Sequence, residues 1–163
     1  VKEIIMTQTF ENKSALVTGA ARGIGRVTAL MLRDRGARVV ATDISETVHE
    51  LVGDGIVTLT GSIAEEETAR RSVALACEKF GRLDILVNNA GRTMNRALID
   101  MTVEDWDGIM AVNARGTFLH AREAVRAMIE GDGGVIVNIA SIVAQVAMKD
   151  TAVYAASKGR SRS

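Results

Sequence analysis

Chemistry in this 163-residue chain is concentrated at a few polar residues that follow apolar runs. Tyr154 is the only tyrosine, and Lys158 stands four positions later in a stretch with helical spacing, so the two side chains share a helix face. An ammonium beside a phenol favours the phenolate, the direction a group needs if it is to exchange protons near neutral pH. The same spacing also describes an amphipathic helix with a half-buried tyrosine and a solvated lysine. Ser141 ends an apolar run, where a hydroxyl can donate a hydrogen bond to a polarised carbonyl oxygen. Asn113 lies inside a long helical pattern, and asparagine is a mediocre helix former unless its amide is wanted locally.

A second group has the composition of a ligand cradle. Thr18-Gly19-Ala20-Ala21-Arg22-Gly23-Ile24-Gly25 follows the first apolar run and leads into a helical pattern. Glycines there let the backbone turn tightly and approach a pyrophosphate, and a helix N-terminus offers free N–H groups and a positive dipole end. A plain glycine-rich turn has the same composition. Asp43 follows the second run, 18 positions beyond Gly25, close to the spacing at which a carboxylate accepts hydrogen bonds from ribose hydroxyls and repels a 2′-phosphate. Its alternative role is a helix N-cap, which Asp43 or Ser45 could supply to the stretch from Glu46. Asn88-Asn89-Ala90-Gly91 closes the fourth run; two amides and two tiny residues suit the floor of a cleft, or a polar turn. His49 and His120 have no ligand spacing and are expected on helix surfaces, and Cys77 falls on an apolar stripe and is expected in the core. No metal site is expected.

These residues need a scaffold that presents strand ends together. Apolar runs at Ala15-Leu16-Val17, Val39-Val40-Ala41, Ile56-Val57-Thr58-Leu59, Leu83 to Val87 and Val135 to Ala140 predict five strands, several too continuously apolar to have a solvated face. Between them, residues 64–80 place Ala69, Val73, Ala76, Cys77 and Phe80 on one helical stripe. Residues 102–130 repeat Trp106, Ile109, Met110, Val125, Met128 and Ile129 in the same way. Alternating strands and helices predict an α/β fold with a parallel sheet, right-handed crossovers and a cleft beyond the carboxyl ends of the strands.

Composition limits what such a domain can do. Apolar residues make up 47% and charged residues 25%, with 20 basic against 20 acidic side chains, so one globular domain is expected. Zero net charge and 3% aromatic residues argue against a nucleic-acid partner. No apolar run approaches the ~18 residues of a membrane span, and the start lacks the regions of a signal peptide. One cysteine suits a reducing cytosol, so a cytoplasmic location is expected.

Taken in order, the motifs at 18–25, 88–91, Asn113, Ser141 and Tyr154-Ala155-Ala156-Ser157-Lys158 resemble the amino-terminal two-thirds of a classical short-chain dehydrogenase/reductase over roughly Lys13 to Gly159. The resemblance implies a Rossmann-like doubly wound parallel sheet, incomplete at about five strands, on residues 13–163 after an N-terminal extension of 1–12. It implies hydride transfer between a nicotinamide cofactor and a small-molecule alcohol or ketone. Tyr154 would then be the acid/base, Lys158 would tune it and bind the nicotinamide ribose, Ser141 would orient the substrate oxygen, and Asn113 would hold a water leading from the lysine to solvent. Gly19, Arg22, Gly23, Ile24 and Gly25 would meet the pyrophosphate side. Asn89, Ala90 and Gly91 would line the floor, with Asn89 and Ala90 on the adenosine half. Ser62-Ile63 stands where the family often has an aspartate near the adenine. Asp43 implies NAD rather than NADP, with Arg22 a counter-hint. The family's homodimers and homotetramers join through the long helix and the catalytic helix.

The sequence stops five residues after Lys158, within that catalytic helix, and the polar tail Arg160-Ser161-Arg162-Ser163 continues no apolar stripe. Two further expectations follow from this. One is an apolar parallel edge at the fifth strand; the other is an alternative function as an inactive remnant that at most binds the dinucleotide. The remaining pocket wall, Arg92 to Ala97 and Ile142 to Ala147, reads as chemically unspecific.

Overall fold

The structure, a computed structural model, describes residues 9–146 and 148–159. Residues 1–8 of the expected extension, Ala147 of the expected pocket wall and the tail 160–163 lie outside the described residues.

Each of the five apolar runs forms a strand: β1 (Ser14–Thr18), β2 (Arg38–Asp43), β3 (Ile56–Thr60), β4 (Ile85–Asn88) and β5 (Val135–Asn138). They form one parallel sheet in the order β3-β2-β1-β4-β5. The chain winds one way from β1 to β3 and the other way from β4 to β5, so the winding reverses between β1 and β4. A crevice opens at that point in doubly wound sheets. The register pairs Val17 with both Ala41 and Val87, and Asn88 with Asn138, so neighbouring strands end at similar heights and deliver their following loops to one edge.

The described residues form five α-helices, α1 (Gly23–Asp34), α2 (Glu66–Phe80), α3 (Val103–Met110), α4 (Thr117–Ile129) and α5 (Ala152–Gly159), of which α1, α2 and α4 pack on the sheet. Every residue of β1 is buried, and its side chains alternate between two cores. Ala15 and Val17 pack with Ala29, Val39 and Ala41, whereas Leu16 packs with Val40, Val73, Leu86, Ala124 and Met128. Phe10, within the segment read from sequence as an extension, packs against the first core and donates its amide to the Arg35 carbonyl. β5 forms one edge of the sheet, with Val135 59% and Val137 42% exposed, the apolar edge expected.

Three sequence expectations are corrected. The 102–130 helix is interrupted by a π turn at Ala111–Gly116, and this shifts the phase of the helix beyond it. α4 therefore buries Leu119, His120, Glu123, Ala124 and Met128, while Trp106, Val125 and Ile129 are exposed. His120 is thus fully buried and not on the surface; its Nδ1 donates to the Gly116 carbonyl at 3.0 Å, and burial lowers its pKa, keeping the ring neutral. Cys77 lies one residue past the buried stripe of Thr68, Ala69, Ser72, Val73 and Ala76, and is exposed.

The amino ends of the strands are tied by a charge. Asp84, just before β4, is buried and accepts hydrogen bonds from the Ser14 amide at 2.9 Å, Arg82 Nε at 2.9 and 3.0 Å, and Lys13 Nζ at 3.3 Å. Burial alone would raise its pKa, but the Ser14 amide, Arg82 and Lys13 together hold it below the ordinary 3.8. Asp84→Ala should cost about 3 kcal/mol at pH 7, lowering Tm by roughly 6–12 °C. Because the folded pKa is depressed, this contribution is complete above the unfolded value of 3.8 and is lost as pH falls below it through the folded pKa. Urea melts of both proteins at neutral and strongly acidic pH should therefore show the deficit shrinking in acid.

Candidate functional site

The loop from β1 into α1 is built around close approach. Gly19 and Gly23 take left-handed φ values of 68° and 57°, which favour glycine. A Cβ on Gly19 would lie 2.7 Å from Ala90 Cα, and one on Gly25 would run into the Gly19 carbonyl oxygen and Asn89 Nδ2. Gly23, by contrast, has nothing within 4 Å of its Cβ position. Thr18 Oγ1 accepts from the amides of Asn89 and Ala90 at 3.1 and 3.0 Å, and Asn89 Nδ2 donates to the carbonyls of Thr18 and Gly19 at 2.9 and 3.1 Å. Asn89 is thus a strut between β1 and β4 as well as a wall residue. Arg22 caps α1 in an extended conformation with no side-chain capping bond, and no acidic residue lies in the first turn, so the positive helix end remains uncompensated by side chains.

Asp43, at the end of β2, accepts from the Ala21 amide through Oδ2 and from the Ser45 amide through Oδ1, both at 3.0 Å. Of the two caps considered for the segment from Glu46, Ser45 takes the role: its Oγ accepts from the Thr47 amide of the 3₁₀ helix Glu46–Leu51. Asp43 instead ties the glycine loop to β2 and faces the crevice.

That crevice is a cavity of about 690 Å³, within the usual range for small-molecule sites. Of the residues read as cofactor-binding, Gly19, Arg22, Gly23, Ile24, Asp43, Ser62, Ile63, Asn89, Ala90 and Gly91 line it. Gly25 sits buried behind the loop, and Tyr154 and Lys158 are not among the wall residues. Ile44, Gly61, Arg92, Thr93 and Val112 complete the wall; of these Arg92 and Thr93 belong to the segment read from sequence as pocket wall, and Gly61 is a glycine just after a strand. Ile63 is seated by the π turn: a Cβ on Gly116 would lie 2.8 Å from Ile63 Cδ1.

Of the residues read as catalytic, Asn113 and Lys158 meet behind Gly91. The π turn carries Asn113 into the interior, where Oδ1 accepts from the Arg92 amide at 2.8 Å. Its Nδ2 donates to the Arg92 carbonyl at 2.9 Å and to Ser157 Oγ at 2.8 Å. Ser157, buried on α5, donates in turn to the Tyr154 carbonyl at 2.7 Å, a link that no spacing in the sequence signalled. Lys158 is buried, donates to the Ile139 carbonyl at 2.7 Å, and has its pKa lowered by desolvation. The Cβ position of Gly91 lies 3.4 Å from both Asn113 Oδ1 and Lys158 Nζ, so these two groups meet where Gly91 opens to the cavity. Ser141 caps the 3₁₀ turn Ile142–Ala144, accepting from the Val143 amide at 3.4 Å, and α5 packs against that turn. Among the described residues no cluster of His, Cys, Asp or Glu could hold a metal, and no helix is long and apolar enough to cross a membrane.

A family model described as short chain dehydrogenase matches residues 13–162. An uncharacterized oxidoreductase of Thermotoga maritima is 40% identical over 156 residues, covering 91% of this chain and 61% of that protein. The 3-oxoacyl-(acyl-carrier-protein) reductase FabG of the same organism is 37% identical over 155 residues, covering 91% and 63%. The 2-(R)-hydroxypropyl-CoM dehydrogenase of Xanthobacter autotrophicus is 39% identical over 159 residues, covering 91% and 64%. A crystal structure from Sinorhizobium meliloti 1021, provisionally described as a short-chain alcohol dehydrogenase, matches with a TM-score of 0.87 at 36% identity, covering 95% of this chain and 64% of that one. The chain thus spans a little under two thirds of the length of these relatives.

The two kinds of glycine in the loop should separate on mutation. Gly25→Ala forces a Cβ against a backbone carbonyl and should cost about 2–3 kcal/mol, whereas Gly23→Ala meets open space and should cost about 1 kcal/mol of left-handed strain. Denaturant melts of the two variants check the difference.

Proposed function

This chain belongs to the short-chain dehydrogenase family, and on that footing we propose an oxidoreductase that transfers a hydride between NAD(H) and a small alcohol or carbonyl compound. The observation that carries the reading is the junction at Gly91, a wall residue of the cavity that begins at the glycine loop, directly behind which the Asn113 amide and the Lys158 ammonium come together. The cradle fits a dinucleotide on its own terms: side chains are excluded at Gly19 and Gly25, space is open at Gly23, and a helix N-terminus lacks a side-chain cap.

Asp43 supports NAD over NADP. Each of its carboxylate oxygens accepts one backbone amide, which leaves lone pairs for ribose hydroxyls and fixes the carboxylate where a 2′-phosphate would come. Arg22 also lines the cavity, but it offers no means of turning that carboxylate away.

When bound, the nicotinamide supplies or accepts the hydride. The chain's own groups handle the proton. Tyr154 gives its phenolic proton to the substrate oxygen in reduction and takes one back in oxidation. Ser141 Oγ, which accepts from the Val143 amide, keeps its own proton to donate to the same oxygen. Lys158, with its pKa lowered by burial, is a compact charge one helical turn beyond the acid, and Asn113 holds α5 through Ser157, its backbone carbonyl accepting from Thr117 Oγ1 at 2.9 Å with a second lone pair left for a water. The exposed Trp106, Phe118 and Ile129 on α3 and α4 support assembly with a second copy through this face, and the single cysteine fits a cytosolic protein.

Melting the chain with each dinucleotide tests the cofactor reading. NADH at about 100 times its Kd should stabilise by about 2.7 kcal/mol, raising Tm by roughly 5–10 °C, with NADPH giving less. Asp43→Ser should close that gap. No shift at millimolar NADH would reject the site. Tyr154→Phe should keep the NADH shift and lower ketone reduction by about 10²-fold or more; equal rates would reject Tyr154 as the acid.

A further inference from the structure

The wall from Arg92 onward reads from sequence as unspecific, but its first residue is held and placed with unusual definition. Both polar groups of the Arg92 backbone are bonded to the Asn113 side chain, the amide at 2.8 Å and the carbonyl at 2.9 Å. Arg92 is a wall residue of the cavity, and its side chain reaches α3, with Nη1 3.3 Å from where a Cβ of Gly108 would stand, so the glycine of α3 makes room for the guanidinium. Among the described residues Arg92 has no ion pair, whereas Arg96, four residues on, is paired with Asp105. The only acidic side chain in the cavity wall is Asp43, and its carboxylate belongs to the far end, bonded to the glycine loop. The end beside Gly91 therefore has Lys158 behind it and an unpaired guanidinium at its rim.

We propose that Arg92 selects substrates carrying an acidic group, its guanidinium pairing with a carboxylate, phosphate or sulfonate while the carbonyl or alcohol lies toward Tyr154 and Ser141. The inference rests on the function proposed above and narrows its substrate class. A neutral ketone gains nothing from a cation at this rim, whereas an anion gains charge-assisted hydrogen bonds, and the planar fork of arginine matches a carboxylate with two parallel N–H donors. Fixing the backbone through Asn113 gives that anchor a constant distance from the catalytic helix, because the same amide also holds Ser157.

The test compares acetoacetate with methyl acetoacetate, which share a keto group and differ in charge. Binding is measured calorimetrically to the chain saturated with NAD+, where no turnover occurs, for the parent, Arg92→Gln, Arg92→Lys and the surface control Arg71→Gln. The parent and Arg71→Gln should prefer acetoacetate by about tenfold, the equivalent of about 1.4 kcal/mol. Arg92→Gln should abolish the preference, Arg92→Lys should retain part of it, and NAD+ affinity should be the same in all four. Equal binding of the two compounds by the parent, undetectable acetoacetate binding, or a preference that survives both Arg92 variants overturns the proposal. A fall in NAD+ affinity confined to the Arg92 variants also overturns it, assigning the residue to the cofactor. Failure of the parent to bind NAD+ at all is the separate failure of the functional reading on which the proposal stands.

Discussion

A carboxamide buried within a helix must find its hydrogen bonds outside that helix, because the backbone there is already paired. Asn113 meets this constraint with three bonds that reach two different segments, the loop following β4 and helix α5. Loss of any partner would leave a polar atom unsatisfied in the interior, so the loop that carries Gly91 and Arg92 and the helix that carries Tyr154 and Lys158 cannot move independently. The π turn is what makes this reach available, and widened turns of this kind recur at functional positions. The helix gives up its regular period at this point, and the loop of Gly91 and Arg92 gains a fixed connection to α5.

The other half of the cavity is tied by shorter connections. Thr18, Asn89 and Asp43 spend their polar atoms on backbone groups of the glycine loop and its neighbours, and these bonds fix the shape of the cavity wall. At the opposite ends of the strands the tie is ionic, through Asp84, Arg82 and Lys13. The sheet is thus pinned by charge at its closed edge and by neutral hydrogen bonds at its working edge. Preorganisation of this type lowers the ordering cost of binding a long, flexible ligand.

The five strands and the positions of the cradle were legible because each depends on a local signal: continuous apolar runs for strands buried on both faces, and glycine followed by a helical pattern. What escaped depends on tertiary detail. The π turn leaves no mark on a hydrophobic period until the phase is compared across it, so Val125 and Ile129 were expected inside and His120 outside. A single residue's rotation about α2 separates buried Ala76 from exposed Cys77. The bonds of Ser157 and Arg92 were unreadable for a different reason: they are made to a partner 44 and 21 positions away, and that partner is the same asparagine.

Ile63 lines the cavity and Asn113 is buried, and although they are far apart in sequence one turn of helix serves both. Gly116 receives Ile63 in the space its missing side chain leaves, three residues beyond the asparagine. The turn is therefore a shared abutment: any Cβ at position 116 would press on Ile63 from the same turn that carries Asn113.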